Sequence, residues 1–149
     1  MKAKIIILTP VFNDWKNLTK LLAKINIIFK KELRQRFDLV IVNDCSTENF
    51  NYKKFKNGKV DKLTIISLLK NVGSQRALAI GIQHIKKIYK KNYKTIIIDS
   101  DGQDNPVGIK KLLDANYKKD TSIVVNRGQR KEPFWFKFFY EIYYILIIL

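Results

Sequence analysis

An α/β fold with a mostly parallel central sheet is what this sequence predicts, and two observations carry the expectation. Four short runs rich in Ile, Val and Leu, at residues 5–8, 39–42, 63–66 and 95–98, are apolar without alternation, as expected of strands covered on both faces. Stretches with helical spacing separate them, and strand alternating with helix builds a parallel sheet through right-handed crossovers. A fifth run, residues 123–125, predicts one more strand.

The first helix is expected from about 15 to 33, with Leu18, Leu21, Leu22, Ile25, Ile28 and Phe29 on one stripe and Asn13 or Asp14 as its cap. The second covers roughly 75 to 89, with Leu78, Ile82, Ile85 and Tyr89 at helical spacing. The third opens at Pro106, whose fixed φ suits a first turn, and buries Ile109, Leu112 and Leu113. Residues 1–133 form one domain on this reading. Residues 134–149 are aromatic and apolar but interrupted by Lys137 and Glu141, short of the roughly 18 clean apolar residues of a spanning helix. A helix lying at a membrane surface and an ordinary packing helix account for that segment equally well.

With 149 residues, 46% of them hydrophobic, the chain can bury one core. Its single cysteine, Cys45, rules out an internal disulfide and favours a cytosolic setting. Lys and Arg outnumber Asp and Glu by 29 to 13, which attracts polyanions, although a solvated lysine surface explains the excess as well. Nucleic acid is not expected as a partner, because the chain has neither a helix of clustered base-reading residues nor an aromatic stacking platform.

In parallel α/β sheets ligands sit beyond the carboxyl ends of the strands, and the polar motifs lie there. The sharpest is Asp99-Ser100-Asp101-Gly102-Gln103-Asp104-Asn105-Pro106. In extended backbone, side chains two apart point the same way, so Asp99 and Asp101 can converge. With Gln103 they make an all-oxygen site suited to Mg2+ or Mn2+. Asp104 or Asn105 can cap the next helix, but capping does not account for two acids before the glycine. The first strand ends in Thr9-Pro10-Val11-Phe12-Asn13-Asp14 and the second in Val42-Asn43-Asp44-Cys45-Ser46-Thr47. Both put polar groups on the same edge, where the carboxylate of Asp44 can accept from a nucleobase and backbone at Pro10 and Phe12 can meet its ring, with Val42 counted among the substrate contacts beside them. Gly73 opens the second helix, and its backbone N–H suits an anion unless the glycine merely permits the turn. Arg127 and Arg130 can neutralise charge on a leaving diphosphate.

Taken in order, these motifs resemble the family-2 glycosyltransferases with the GT-A fold. They are most similar to the group that contains dolichol-phosphate mannose synthase-like and bacterial polyprenyl-phosphate enzymes. Residues 9–14 match the opening Pro-Val-Tyr-Asn-Glu signature, 42–47 the Asp-Asp-x-Ser turn, and 71–81 the Asn-x-Gly…Ala-x-x-x-Gly stretch. Residues 99–106 match the metal motif. Phe12 stands for the usual Tyr, Asp14 for Glu, and Asn43 for a frequent first acid.

The resemblance implies a Rossmann-like, three-layer GT-A fold, C-terminally truncated, since the family's acceptor segment and membrane helices would follow Leu149. It implies that Pro10, Phe12, Asp14 and Asp44 contact the nucleotide and that Asp99, Asp101 and Gln103 hold the metal, with Ser100 beside them. Asp101, Arg127 and Arg130 would take the catalytic roles. The implied reaction is an inverting in-line transfer from a GDP- or UDP-sugar to a polyprenyl or dolichyl phosphate, at the cytoplasmic face of a membrane. Two other readings stand beside it: a truncated nucleotide-binding or membrane-associated module without activity, and a family-2 enzyme with a hydroxyl acceptor in cell-surface polysaccharide synthesis.

Overall fold

The computed structural model describes residues 3–101, 106–115 and 123. The chain divides into two compact units, Met1–Ala115 and Asn116–Leu149. The architecture below is that of the first. The boundary expected after residue 133 and the segment 134–149 lie outside the described residues. So does the fifth strand, except for Ile123, which belongs to no regular element.

Four parallel strands, β1 (Lys4–Val11), β2 (Phe37–Asn43), β3 (Val60–Ser67) and β4 (Tyr93–Ile97), form one sheet in the order β3-β2-β1-β4. All four begin before the apolar runs that announced them. The two central strands are buried almost throughout, whereas β3 and β4, at the sides of this sheet, are only partly covered. That is why β1 and β2 carry the most uniformly apolar runs.

Side chains alternate across the sheet with period two. Ile5, Ile7 and Val11 of β1 and Leu39 and Ile41 of β2 pack on one face with Leu18, Leu21, Leu22 and Ile25 of α1 (Trp15–Ile28). Ile6, Leu8, Val40 and Val42 pack on the other with Ala77 and Ile85 of α2 (Ser74–Ile88). The short α3 (Gly108–Asp114) adds Ile109 to the α1 side. Helix, sheet and helix therefore form the three expected layers.

The differences from the sequence expectation have local causes. The first helix does reach Leu33, but Phe29–Leu33 is a wider π-helical turn, closed by Arg34 in the left-handed region at φ 49. This turn keeps Phe29 buried against Phe37, ring centroids 4.5 Å apart. In α2 the fully buried line is Ala77, Gly81 and Ile85; Leu78 and Tyr89 of the expected stripe pack partly buried beside it, and only Ile82 departs, at 46% exposed. Small residues decide this. A Cβ on Gly81 would lie 2.5 Å from Leu8 Cδ1 and 2.9 Å from Val42 Cγ2, so the glycine lets the helix backbone settle directly on the sheet. The third helix starts at Gly108, with Pro106 and Val107 in the preceding turn. A 3-10 turn at Tyr52–Phe55 was not anticipated; Asn51 Oδ1 starts it by accepting from the Lys53 amide at 3.1 Å.

The amino edge of the sheet is closed by charge. Lys4 Nζ lies 3.0 Å from Asp38 Oδ1 and 2.6 Å from Asp61 Oδ2, and Arg36 Nε donates to Asp61 Oδ1 at 3.2 Å. Buried Asp38 also accepts from the Tyr89 hydroxyl at 2.6 Å and from the Lys62 amide at 3.2 Å.

Candidate functional site

The strand order places a switch point between β1 and β4, because β2 and β3 extend to one side of β1 and β4 lies on the other. Loops leaving neighbouring strands in opposite directions leave a crevice between them at the carboxyl edge. β1 outlasts β4 there: the ladder ends near Leu8, paired with Ile97, and closes with the Ile98 amide on Leu8 O at 3.1 Å. Backbone groups alternate sides along a strand, and Val11 O accepts from the Asp44 amide on the β2 side. The nitrogen of Pro10, which has no hydrogen to donate, therefore faces the side where β4 has already ended.

A cleft of about 210 Å3 opens at this point, lined by Pro10, Val11 and Phe12 after β1, Asp44 after β2, Ser74 of α2, and Asp99, Ser100 and Asp101 after β4. Sequence segments up to 90 residues apart thus share one wall, and the two acids reach it together. The reason differs slightly from the one expected. β4 ends at Ile97 and Ser100 begins a turn, so the turn, and not strand alternation alone, brings Asp101 to the cleft beside Asp99. Phe12 is 49% exposed, which leaves ring surface for a flat ligand. Among the described residues no group of three or more His, Cys, Asp or Glu is clustered to hold a metal; the acids that line the cleft are Asp44, Asp99 and Asp101. An oxygen pair such as Asp99 and Asp101 suits a hard divalent cation that takes its other ligands from water or a diphosphate. Gln103, Arg127 and Arg130 lie outside the described residues.

Asp44 has a structural partner as well as a place in the cleft. It is 2% exposed, and its two oxygens accept from the Val72 amide at 2.7 Å and the Gly73 amide at 2.9 Å. The anion expected at the Gly73 amide is thus the chain's own carboxylate, and Asn71 Oδ1 takes a further share of that amide at 3.1 Å. Gly73 itself has φ 86 and ψ 151, a conformation nearly confined to glycine. The clasp fixes where α2 begins and so where Ser74 meets the cleft. Each carboxylate oxygen has a second lone pair, so Asp44 keeps acceptor capacity toward the cleft it lines.

Two other assignments are corrected or narrowed. Val42 is fully buried beneath α2 against Gly81, so its side chain cannot touch a ligand. Asp14 occupies the N-cap of α1 without a side-chain capping bond and is not among the residues lining the cleft.

Asn13 does more than the sequence implied. At φ 54 it adopts the left-handed conformation that asparagine tolerates better than most residues. Its Oδ1 accepts from the Thr47 amide at 2.9 Å, the Thr47 hydroxyl at 3.3 Å and the Glu48 amide at 3.2 Å, while its own amide donates to Ser46 Oγ at 3.0 Å. Asn13 thus ties the β1 loop to the β2 loop. An Asn two residues after a strand was the available signal, but it was indistinguishable from a helix cap.

The chain is similar to proteins already known. The undecaprenyl-phosphate 4-deoxy-4-formamido-L-arabinose transferase of Proteus mirabilis (strain HI4320) is 24% identical over 136 residues, covering 90% of this chain and 40% of that protein. The dolichyl-phosphate beta-glucosyltransferase of Saccharomyces cerevisiae is 27% identical over 122 residues, covering 78% of this chain and 35% of that protein. This chain therefore spans well under half the length of either relative. Among solved structures, S. aureus TarS 1-349 superposes with a TM-score of 0.52 at 21% identity, covering 73% of this chain and 31% of that one, which attests the fold. Residues 6–146, nearly the whole sequence, match the family description glycosyl transferase family 2, and the chain belongs to that family.

Proposed function

We propose that the chain is the donor-binding part of a glycosyltransferase that moves a sugar from a nucleoside diphosphate to a polyprenyl phosphate. The observation that carries this reading is the convergence of Asp99, Ser100 and Asp101 with Phe12 and Asp44 on one cleft at the switch point of the sheet. Two relatives whose names specify sugar transfer on undecaprenyl or dolichyl phosphate support the acceptor class.

In this reading the exposed ring of Phe12 stacks on the base, and Pro10 and Asp44 set its edge. Asp99 and Asp101, with Gln103, would hold Mg2+ or Mn2+, and the ion would supply Lewis-acid stabilisation to a departing diphosphate. Arg127 and Arg130 add positive charge at the same leaving group. A phosphate acceptor is already ionised near neutral pH, so the cleft has no need of a strong general base. The formal charge of +16 favours both an anionic donor and the anionic cytoplasmic face of a membrane, where the acceptor would lie. No helix among the described residues is long and apolar enough to cross a membrane, so the described part would meet that surface from one side.

The test is a donor screen by thermal shift with UDP- and GDP-sugars, with Mn2+ or Mg2+, on the native chain and on Asp101→Asn. A donor at about 100 times its Kd should stabilise the native chain by about 2.7 kcal/mol, several degrees in Tm. The gain should vanish with chelator and in Asp101→Asn. Equal stabilisation of the variant, or none by any donor, would remove the proposal.

A further inference from the structure

A second cavity lies beside the donor cleft but on the opposite face of the sheet. Odd-numbered residues of β2 face α1, and Asn43 continues that row, while Asp44 turns to the start of α2. Asn43 and the loop after it line an open surface pocket of about 420 Å3, twice the volume of the donor cleft and within the range of small-molecule sites.

The walls are built and held. Asn43 Nδ2 donates to the Tyr52 hydroxyl at 3.1 Å, and Asn43 Oδ1 accepts from the Ser46 amide at 2.9 Å. Phe50 is stacked between Trp15 and Phe55, with centroid distances of 5.0 and 4.8 Å, and Trp15 meets Tyr52 edge-on at 5.3 Å. The apolar side of the cavity is therefore fixed before any ligand arrives, which lowers the ordering cost of binding. The buried indole N–H of Trp15, packed against two of these rings, has no hydrogen-bond acceptor among the described residues.

What the cavity offers a ligand follows from what its groups have left. The Tyr52 and Ser46 hydroxyls each accept one bond and retain their own hydrogen, and Asn51, whose oxygen holds the Lys53 amide, retains its NH2. Glu48 and Asn49 are exposed on the rim and make no side-chain hydrogen bond among the described residues. Among the described residues no Lys or Arg lines this cavity, and the one carboxylate there is Glu48. A phosphate or carboxylate ligand would meet a negative rim with no cation among those lining residues to compensate. A dense mixture of donors and acceptors beside rigid rings suits a neutral polyol instead.

We infer that this cavity is a saccharide site, separate from the donor cleft and joined to it through Asn13, which ties Ser46, Thr47 and Glu48 to the loop carrying Phe12. The inference does not depend on the donor reading. A free monosaccharide and the end of a glycan chain present the same hydroxyls, so the test includes both.

The two tryptophans are Trp15 and Trp135, and a Trp135→Phe chain reports on Trp15 alone. Titration of that full-length chain with glucose, N-acetylglucosamine and maltotriose should give a saturable change in Trp15 emission in the millimolar range. Tighter binding of maltotriose assigns the site to a glycan chain, and equal binding to a free sugar. Glu48→Ala with Asn49→Ala, both exposed and harmless to the core, should weaken binding about tenfold, and Tyr52→Phe by a similar factor. Asp101→Asn should leave the response unchanged, which keeps the outcome independent of the donor site. The inference is overturned if no neutral sugar gives a saturable response, if glucose 6-phosphate binds more tightly than glucose, or if Asp101→Asn abolishes the response along with donor binding.

Discussion

The two edges of the sheet use buried carboxylates in opposite ways. At the amino edge, Asp38 is surrounded by Lys4, Tyr89 and the Lys62 amide, and Lys4 continues the network to Asp61 and Arg36. Every oxygen there has a side-chain or backbone partner, and the edge is shut. At the carboxyl edge, Asp44 is as deeply buried but spends its bonds on two backbone amides, which pins the start of α2 and leaves its second lone pairs beside the cleft. Mostly side chain to side chain, the polar groups tie one edge of the sheet together; side chain to backbone, they shape an opening at the other. A carboxylate facing backbone amides fixes loop geometry without using up the neighbouring side chains, and those remain for a ligand.

The sharpest way to break this contrast is to remove each acid in turn. Asp44→Ala should cost about 2–3 kcal/mol in urea unfolding, because two charge-assisted bonds are lost and a constrained turn is released. It should also weaken donor binding. Asp38→Ala should cost about 1–2 kcal/mol, since Lys4 and Tyr89 can regain water, and it should leave donor binding unaltered. Equal effects of the two on binding would show that the edges are not separate.

A smaller effect is expected from pH. The hydrogen bond to Lys4 holds the Asp61 carboxyl below its ordinary range, so its contribution is present above the unfolded pKa and is lost as pH falls through the lower folded value. Lys4 is raised, first by its hydrogen bond to Asp61, and that contribution is complete below its unfolded pKa and lost as pH rises through the folded value. Tyr89 is raised too, first by burial and then by its bond to Asp38, and adds to the alkaline loss. Stability should be flat between these limbs. Lys4 and Asp61 are 38% and 46% exposed, so Asp61→Asn should remove no more than about 1 kcal/mol, measured as a shallower acid limb that high salt also flattens.

The smallest test is Cys45, a non-glycine residue at φ 62 in the turn beside Asp44, whose thiol donates to Leu69 O at 3.6 Å. Cys45→Gly should be neutral or stabilising by a few tenths of a kcal/mol, as relief of the left-handed conformation offsets added chain entropy. Cys45→Val should cost about 1–2 kcal/mol at the same position. A reversal of that order in chemical denaturation would mean that the turn is not strained.

Residue chemistry along the chain determined the strand-and-helix alternation, the buried stripe of α1 and the location of the polar motifs at strand ends, because period and composition are local properties. Tertiary structure alone decided that β4 lies against β1, which creates the crevice, and that Ala77 and Gly81, with Ile82 turned outward, sit closest to the sheet in α2. It alone decided that Asp44 bonds to the Val72 and Gly73 amides, and that Asn13 joins two loops where its sequence neighbours offered only a helix cap. Each of these depends on groups tens of residues apart meeting within a few ångströms. No pattern read along a single stretch of chain contains that distance.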